Sequence, residues 1–331
     1  MSRVLLTGGA GFIGGVVARQ LRERGDTVVA VVRDPSRATG LATIGCELVT
    51  GDLGSVDALA VAMDGSTAGG PVDAVIHAAG QYRLGVTAAE RPAMFDANEG
   101  TTRRVLEAAA QVGVARVVYV STCNVYGDTR GQIVDETYRR DLSRGFLSAY
   151  DESKYRAHVA AEEAIAAGRP VVIVLPNQVY GPGDHSEFGA QMAAAAKGTL
   201  PYRAFDSAGV GLVHVEDLAG GIIAALDLGR AGEAYNLSGP ILRVRSAVEL
   251  AAKVGDRRAP RLVVPTAMLR LVAKLPDAVA VKLGSPPNLA DVISASEGVT
   301  YFASSAKAER ELGFRPRPVG EGFAQVYGGA G

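Results

Sequence analysis

Cysteine, net charge and long apolar runs are all scarce in this chain of 331 residues. Only two cysteines occur, Cys46 and Cys123, and they lie in separate strand-like segments without the spacing of metal ligands. We therefore expect no metal site and two buried thiols, which suits a reducing compartment. The formal net charge is −1, which removes the electrostatic case for binding nucleic acid or anionic lipid.

Segments that would direct the chain into a membrane are also missing from the sequence. No apolar run approaches the roughly 20 residues that span a bilayer. No signal peptide precedes the first strand-like segment, which begins at Arg3. We expect a soluble, cytoplasmic protein with no membrane or nucleic-acid partner, present as a monomer or a homodimer.

Glycine, in contrast, is abundant, and several glycines cluster near the start of the chain. Residues 4–6 form an apolar run typical of a buried strand, and Phe12–Glu23 repeats its apolar residues with helical period. Glycines between them would let the backbone approach a pyrophosphate, whose charge a helix N-terminus favours. A glycine-rich turn without a ligand is the alternative. The pattern Thr-Gly-x-x-Gly-x-x-Gly predicts a dinucleotide site with contacts at Thr7, Gly8, Gly11, Phe12, Ile13 and Gly14.

The second strand-like segment, Thr27–Val32, ends in Arg33-Asp34-Pro35. At this corner of a dinucleotide site an acidic residue holds a ribose 2′-hydroxyl, whereas an arginine accommodates a 2′-phosphate. Arg33 stands at the strand tip, Arg37 follows one turn later, and Asp34 is expected to turn away and cap the next helix. The corner therefore favours NADP(H) over NAD(H). Arg33 as an ordinary solvated surface residue is the alternative.

Strand-like and helix-like segments alternate through the first half of the chain, which requires a parallel sheet with both faces covered. The predicted fold class is α/β, a Rossmann-type doubly wound sheet. Ligands of such sheets bind outside the carboxyl ends of the strands. His77, at one of these ends, is expected to orient neighbours or fill the core rather than to act as a base. Six predicted strands end at Thr7, Arg33, Asp52, His77, Thr122 and Pro176.

The alternation weakens after residue 181, where proline and glycine become frequent. We predict a dinucleotide-binding domain over 1–180, with 212–235 returning to it. A smaller C-terminal substrate-binding lobe is assembled from 181–211 and 236–331. Within that lobe, 265–283 is amphipathic and is expected to form an inner face over the substrate pocket, although a helix on a membrane surface has the same pattern.

Tyr150 and Lys154 are four residues apart, so a helix would present both on one face. A tyrosine with a pKa near 10 is a poor base and a slow proton donor at neutral pH, and a nearby ammonium lowers such a pKa by roughly 1–3 units. Thr122, at a strand tip, can hydrogen-bond a substrate oxygen. Asn98 lies within a helical pattern although asparagine has a low helix propensity. This indicates a functional reason for an asparagine at this position.

Several motifs together resemble the extended short-chain dehydrogenase/reductase family over nearly the whole chain. The ending, Ser305 to Pro316, and Arg33-Asp34-Pro35 look most like its dihydroflavonol 4-reductase-like branch. The motifs are residues 7–14, Asp52-Leu53, Asn98-x-Gly100-Thr101, residues 121–127, Tyr150-x-x-x-Lys154, residues 179–182 and residues 214–219.

The resemblance implies a catalytic Thr122, Tyr150 and Lys154, with Asn98 near them. It selects Thr122 over Ser121, because the family's catalytic residue lies four positions before the tyrosine of Val-Tyr-Gly. Further cofactor contacts follow from it, with Asp52 against the adenine; Asp52 as a helix N-cap is the alternative. These contacts are Asp52, Leu53, Ala78, Ala79, Tyr150, Lys154, Pro176 and Val179. Two positions depart from the family: Leu175 replaces an arginine, and His158 replaces a glutamate.

Three functions are compatible with these features. The first is an NADP(H)-dependent oxidoreductase that reduces a ketone or aldehyde of a small organic substrate, or runs the reverse reaction. The second is an NAD-dependent sugar-nucleotide epimerase or dehydratase, although the Arg-Asp-aromatic anchor common in those enzymes is replaced here by residues 210–213. The third is a non-catalytic NADP-binding regulatory protein, which would typically have lost the Tyr/Lys pair.

Overall fold

The computed structural model describes residues 1–66, 69–275 and 288–329. Its strands, in chain order, are β1 (Arg3–Thr7), β2 (Thr27–Val32), β3 (Glu47–Thr50), β4 (Ala74–His77), β5 (Arg116–Val120), β6 (Val171–Pro176), β7 (Gln178–Tyr180), β8 (Gly209–His214), β9 (Ala234–Leu237), β10 (Ile241–Arg243) and β11 (Thr300–Tyr301).

The helices in the same ranges are α1 (Phe12–Glu23), α2 (Thr39–Thr43), α3 (Val56–Asp64), α4 (Arg91–Phe95), α5 (Thr101–Val112), α6 (Ala149–Ala166), α7 (Glu187–Lys197), α8 (Val215–Leu228), α9 (Val244–Val254), α10 (Thr266–Val272), α11 (Leu289–Ser296), α12 (Ala306–Glu311) and α13 (Val319–Tyr327). Among these helices, none is both long enough and apolar enough to cross a membrane.

Seven strands form one parallel sheet in the order β3-β2-β1-β4-β5-β6-β9. From β1 the strand order runs one way to β2 and β3 and the other way to β4, β5 and β6. The crevice between β1 and β4 is therefore the topological switch point, where doubly wound sheets bind their ligands. The Rossmann-type fold and its first six strands are confirmed. The seventh strand, β9, was not predicted as a member of this sheet, because its four residues form no long apolar run. In the structure three of the four are fully buried.

Successive side chains of each strand point to opposite faces of the sheet, and both faces are covered. Val4 and Leu6 of β1 belong to a buried cluster that includes α1 and α8, whereas Leu5 belongs to one that includes α3, α5 and α6. This two-sided burial explains why the strands read as continuous apolar runs instead of alternating patterns.

A second, smaller sheet has the order β10-β8-β11, with β7 paired to β8. Its core is shared with α7, α9 and α13, and includes Met192, Val248 and Phe323. Because β8 continues directly into α8, which packs against α1, this sheet is joined to the large one close to the strand ends.

The C-terminal part of the chain contributes to both sheets. Ala308, Leu312 and Phe314 pack into the core of the large sheet, although the sequence analysis assigns all of 236–331 to the smaller lobe. Within the predicted returning segment 212–235, α8 packs on the large sheet and the first two residues of β9 belong to that sheet, whereas residues 212–214 end β8 of the smaller sheet. The division into two lobes stays a prediction.

The amphipathic segment 265–283 lies differently from the expectation where it is described. Leu269 and Val272 of α10 pack on α11, while Met268 and Leu271 are exposed. It is α11 that reaches the cavity described below, through Val292, Ala295 and Ser296, so α10 lies one layer further out. Residues 276–283, the remainder of that predicted segment, lie outside the described residues.

Candidate active site

A cavity of about 1870 Å³ lies along the carboxyl ends of the large sheet. Ordinary ligand pockets occupy roughly 300–1,000 Å³, so this one has room for a dinucleotide and a second molecule. Most of the residues predicted as cofactor contacts line it: Gly8, Gly11, Phe12, Ile13, Gly14, Arg33, Arg37, Asp52, Leu53, Ala78, Ala79, Tyr150, Pro176 and Val179. Thr122 lines it as well, whereas Thr7, Asn98 and Lys154 lie behind its wall.

The glycine loop is packed so closely that side chains would not fit at two of its positions. Gly8 has a φ of +74°, and a Cβ there would lie 2.6 Å from the backbone nitrogen of Ala79. A Cβ at Gly14 would lie 2.1 Å from the carbonyl oxygen of Gly8. At Gly11 the nearest atom would be 3.2 Å away, so this position is less tightly enclosed. The loop is thus a bare-backbone surface at the start of α1.

The N-terminus of α1 is not neutralised by the protein itself. Its N-cap is Gly11, no side chain caps it, and its first turn carries no acidic residue. In contrast, α3, α6 and α7 are each capped by a serine hydroxyl. Unpaired N–H groups and the positive end of the helix dipole therefore remain at the cavity, where a pyrophosphate would satisfy both.

His77 is fully buried and both of its ring nitrogens are hydrogen-bonded. The Thr102 hydroxyl donates to the Asn98 carbonyl, so it accepts from Nε2–H of His77 at 3.1 Å. Nδ1 is then the acceptor for the Thr7 hydroxyl at 2.7 Å, and Thr7 in turn accepts from the Ala79 amide. This relay fixes the neutral tautomer and links the glycine loop to the turn that carries Asn98, in agreement with the expected orienting role.

Burial, together with the charge of Lys154, lowers the pKa of His77 to about 3. The folded protein therefore binds fewer protons at this site than the unfolded chain, whose histidine keeps a pKa near 6.5. The resulting stabilisation is complete above pH 6.5 and is lost as the pH falls towards 3. We expect the free energy of unfolding to decrease by up to about 1.4 kcal/mol per pH unit from this histidine below pH 6.5.

Denaturant unfolding measured at several pH values between 6.5 and 5 tests this expectation. His77→Gln should show a shallower decline of the free energy of unfolding than the wild type. His185→Gln, at an exposed histidine, should keep the wild-type slope. Equal slopes in His77→Gln and wild type would contradict the assignment of a neutral buried imidazole.

At the predicted ribose corner, Asp34 caps the turn that follows it, as expected, but it also lines the cavity and so does not turn away from it. Its carboxylate accepts hydrogen bonds from the Ser36 amide at 3.0 Å and the Ser36 hydroxyl at 2.6 Å, and so caps the short turn Pro35–Arg37. These two bonds lower the pKa of Asp34. Arg33 lines the cavity and makes no side-chain hydrogen bond or ion pair within the described ranges. A guanidinium without a partner among the described residues is therefore exposed beside the Asp34 carboxylate, which stays ionised and is bonded to Ser36.

The alternative role of Asp52 as a helix cap is not what the structure shows. The N-cap of α3 is Ser55, whose hydroxyl accepts from the Ala58 amide at 3.3 Å. Asp52 instead closes a local turn with the Gly54 amide at 3.2 Å and lines the cavity beside Leu53.

The Thr122, Tyr150 and Lys154 side chains lie close together at the ends of β5 and α6. The Thr122 hydroxyl lies near the Tyr150 hydroxyl and donates to Asn124 Oδ1 at 3.1 Å, and both Thr122 and Tyr150 are less than 10% exposed while lining the cavity. The Lys154 ammonium donates to the Val120 carbonyl at 3.2 Å and lies 5.2 Å from the centre of the Tyr119 ring. These contacts hold the Lys154 cation behind the tyrosine instead of in the open cavity.

The expected downward shift of the Tyr150 pKa is wrong for the protein by itself. Burial of the hydroxyl is the largest effect and raises the pKa of Tyr150 above its usual value, while the nearby Thr122 hydroxyl acts in the opposite direction. The net shift is upward because the cost of removing a phenolate from water outweighs the stabilisation it receives. Tyr150 is therefore a protonated phenol at neutral pH, which can donate a proton.

Asn98 occupies a single π-helical turn, Asp96–Gly100, between α4 and α5. Its side chain accepts from the Gln81 amide at 2.7 Å and donates to the Gln81 carbonyl and the Ser153 hydroxyl. A Cβ built on Gly80 would lie 3.1 Å from Asn98 Oδ1 and 3.7 Å from Lys154 Nζ. Asn98 thus joins the segment after β4 to α6 beside the Lys154 ammonium. Wide turns of this kind are frequent at functional sites.

The start of α6 is fixed by an ion pair that sequence reasoning missed. The Arg140 guanidinium binds both oxygens of Asp151 at 2.7 and 3.0 Å, and both side chains are almost fully buried. Asp151 also accepts from the Leu147 amide, and the Ser148 hydroxyl caps the helix. Eleven positions separate Arg140 from Asp151, so no local pattern indicated the pair. It holds the adjacent Tyr150 in place.

The two departures from the family pattern have structural explanations. His158 Nδ1 lies 3.0 Å from the Ser121 hydroxyl, and its Nε2 faces Glu162 at 3.7 Å. This contact ties Ser121 to α6 and leaves the neighbouring Thr122 to interact with Tyr150. Leu175 is fully buried in β6.

Comparisons with known proteins show the family to which the chain belongs. The model of the NAD dependent epimerase/dehydratase family matches residues 4–238. A Synechocystis sp. protein named "Putative dihydroflavonol 4-reductase" is 30% identical over 331 residues, covering 97% of this chain and 92% of its own.

Two solved structures have the same fold. The crystal structure of gox2253 is 31% identical, with a TM-score of 0.82 and coverage of 98% of this chain and 97% of its own. DesIV, a dTDP-glucose 4,6-dehydratase from Streptomyces venezuelae solved as a double mutant with NAD bound, is 25% identical, with a TM-score of 0.77 and coverage of 98% and 95%. The chain therefore belongs to the NAD-dependent epimerase/dehydratase family, within the extended short-chain dehydrogenases/reductases.

Proposed function

We propose that this protein is an NADP(H)-dependent reductase of ketones or aldehydes, acting on small organic molecules through Thr122, Tyr150 and Lys154. The observation that carries the proposal is the protonated, buried Tyr150 hydroxyl close to Thr122 on the wall of a cavity that also contains the glycine loop. The name of the Synechocystis relative, a dihydroflavonol 4-reductase, supports the same reaction class. Cytoplasmic location and oligomeric state stay predictions.

The cofactor would be held by the chain's own groups as follows. The uncapped N-terminus of α1 and the bare backbone of the glycine loop suit the pyrophosphate, because a Cβ at Gly8 or Gly14 has no room beside it. Asp52 and Leu53 would face the adenine, and Arg33 the 2′-phosphate. When bound, NADPH supplies the hydride that reduces the carbonyl carbon.

The protein's contribution to the reaction is then positioning and proton transfer. Thr122 and Tyr150 would both hydrogen-bond the substrate carbonyl oxygen, which polarises it. As negative charge develops on that oxygen, the Tyr150 hydroxyl donates its proton. The buried Lys154 ammonium, near Asn98, stabilises the phenolate that this step leaves. In the reverse direction the phenolate would accept the proton of an alcohol.

Arg33→Ala tests the cofactor preference. A charge-assisted contact to a 2′-phosphate contributes roughly 1.5–3 kcal/mol, so the variant should lose roughly 10- to 100-fold in NADPH affinity. NADH affinity should change little, because NADH lacks that phosphate. Titration of both cofactors into the wild type, Arg33→Ala and the control Arg258→Ala, at an exposed arginine outside the cavity lining, measures the difference.

A wild type that prefers NADH, together with an unchanged Arg33→Ala, would overturn the assignment of NADP(H). The sugar-nucleotide epimerase or dehydratase alternative would then gain support, since the dehydratase neighbour was solved with NAD bound. The direct test of the reaction is NADPH consumption with a panel of ketones, aldehydes and sugar nucleotides. A folded protein that binds NADPH but converts none of them would favour the non-catalytic alternative.

A further inference from the structure

From the distribution of charge along the cavity, we infer that its substrate end accepts an uncharged, largely apolar carbonyl compound that carries a ring, and rejects anionic substrates. This inference rests on the proposed reductase function. It narrows the substrate class and excludes nucleoside-diphosphate sugars and carboxylates as good ligands.

Every arginine or lysine that lines the cavity, within the described part of the chain, lies at the dinucleotide end. Arg33 and Arg37 follow β2. Arg104, on α5, is already committed, since it binds both oxygens of Asp96 and donates to the Leu53 carbonyl. A cofactor 2′-phosphate and pyrophosphate would use this end. No described arginine or lysine lines the rest of the cavity, so its lining offers no cation to the two phosphates of a sugar nucleotide.

The opposite end of the cavity is covered by apolar and aromatic side chains. Tyr82 is 53% exposed and its ring meets the Tyr150 ring edge-on, with 4.8 Å between the ring centres. Tyr202 is also unusually exposed, at 45%, and lines the same cavity. Aromatic surface held open to a cavity is typical of contact with an apolar ligand. The remaining apolar lining includes Leu84, Phe188, Leu200, Phe205, Val210 and Val292.

Carboxylates supply the charge at this end. Glu187, in the first turn of α7, is exposed, lines the cavity and has no hydrogen bond or ion pair with any described residue. Asp184 accepts from the Ser186 amide and lines the same region. Although Tyr82 as a residue is half exposed, burial of its hydroxyl, and then the charges of Glu187 and Asp184, raise the pKa of Tyr82 to about 12. Tyr82 in turn contacts Tyr150 edge-on, so the two carboxylates act on a ring that adjoins Tyr150.

An anion bound here would therefore face uncompensated negative charge in a partly desolvated cavity. Like charges a few ångströms apart repel strongly at the low effective dielectric of such a site. An uncharged ring compound avoids that repulsion and gains contact with the aromatic wall. The repulsion should appear as a difference in dissociation constant between two ligands that have the same carbonyl group and ring and differ only in a remote charge.

The test uses methyl 4-formylbenzoate and 4-formylbenzoate, which differ by one carboxylate para to the aldehyde. Dissociation constants of both are measured calorimetrically with the wild-type protein saturated with NADP⁺, and NADPH oxidation is followed separately. We expect the ester to bind at least tenfold more tightly than the acid. Glu187→Gln should reduce this ratio by roughly threefold or more, whereas Glu107→Gln, the same change at an exposed site on α5 outside the cavity lining, should not alter it.

Equal or tighter binding of the acid, no measurable binding of the ester, or tighter binding of a UDP-sugar than of the ester would each overturn the inference. So would an ester-to-acid ratio that is unchanged in Glu187→Gln. NADPH oxidation distinguishes failure of the proposed function from failure of this inference. An ester that binds as expected but is not reduced would refute the reductase function and leave the binding preference intact.

Discussion

Replacement of Tyr150 by phenylalanine is expected to lower kcat for carbonyl reduction by roughly 10²- to 10⁴-fold, the weight of one positioned acid–base group. The ring and its edge-on contact with Tyr82 would remain, while the proton donor beside Thr122 would be lost. Since the hydroxyl faces the substrate and the phosphate-binding loop lies elsewhere, NADPH affinity should be close to that of the wild type.

The measurement is steady-state NADPH oxidation with a reducible aldehyde, alongside a cofactor titration and thermal unfolding of each variant. Tyr155→Phe provides a matched control. It removes the same hydroxyl from the same helix, but Tyr155 packs against Phe146 and Arg140 and does not line the cavity. Turnover by Tyr150→Phe within a few-fold of the wild type would remove this tyrosine from the mechanism.

The second large effect is expected for Gly14→Ala, which should lose about 100-fold or more in dinucleotide affinity. The added Cβ would lie 2.1 Å from the Gly8 carbonyl oxygen and 2.7 Å from its carbon, and these are backbone atoms that can move only if the loop moves. Because the same loop must approach the pyrophosphate through its bare backbone, its displacement removes the binding surface.

Gly15→Ala separates this effect from any general consequence of adding a methyl group to α1. The next glycine along the helix has only the Gly9 carbonyl oxygen near its Cβ position, at 3.5 Å, which is ordinary contact. Both changes should be equally favourable to the helix itself. We expect Gly15→Ala to bind NADPH like the wild type. Equal affinities of the two variants, both folded by circular dichroism, would show that the pyrophosphate lies elsewhere.

Much of the frame was predictable from the sequence because its causes are local. The apolar runs and the helical period of Phe12–Glu23 are written in consecutive residues, as are the glycines that follow β1. The capping of the turn after Asp34 depends only on Pro35 and Ser36. Parallel strands then bring their carboxyl ends to one edge, so residues from six distant segments could be expected to meet there.

Only the tertiary structure determined the properties of the site that depend on residues far apart in the chain. The direction of the Tyr150 pKa is set by burial, which arises when α6, β5 and the Tyr82 segment pack together. The neutral tautomer of His77 follows from Thr7 and Thr102, separated from it by 70 and 25 positions.

The same holds for the distribution of charge in the cavity. Neither the exposed Glu187 nor Tyr82 belongs to a motif, and the sequence does not show that both face the space beside Tyr150. Local patterns specify elements and the loops that join them, since backbone geometry acts over a few residues. Desolvation and Coulomb interactions act through space, so the chemistry of the site was settled only when the elements packed.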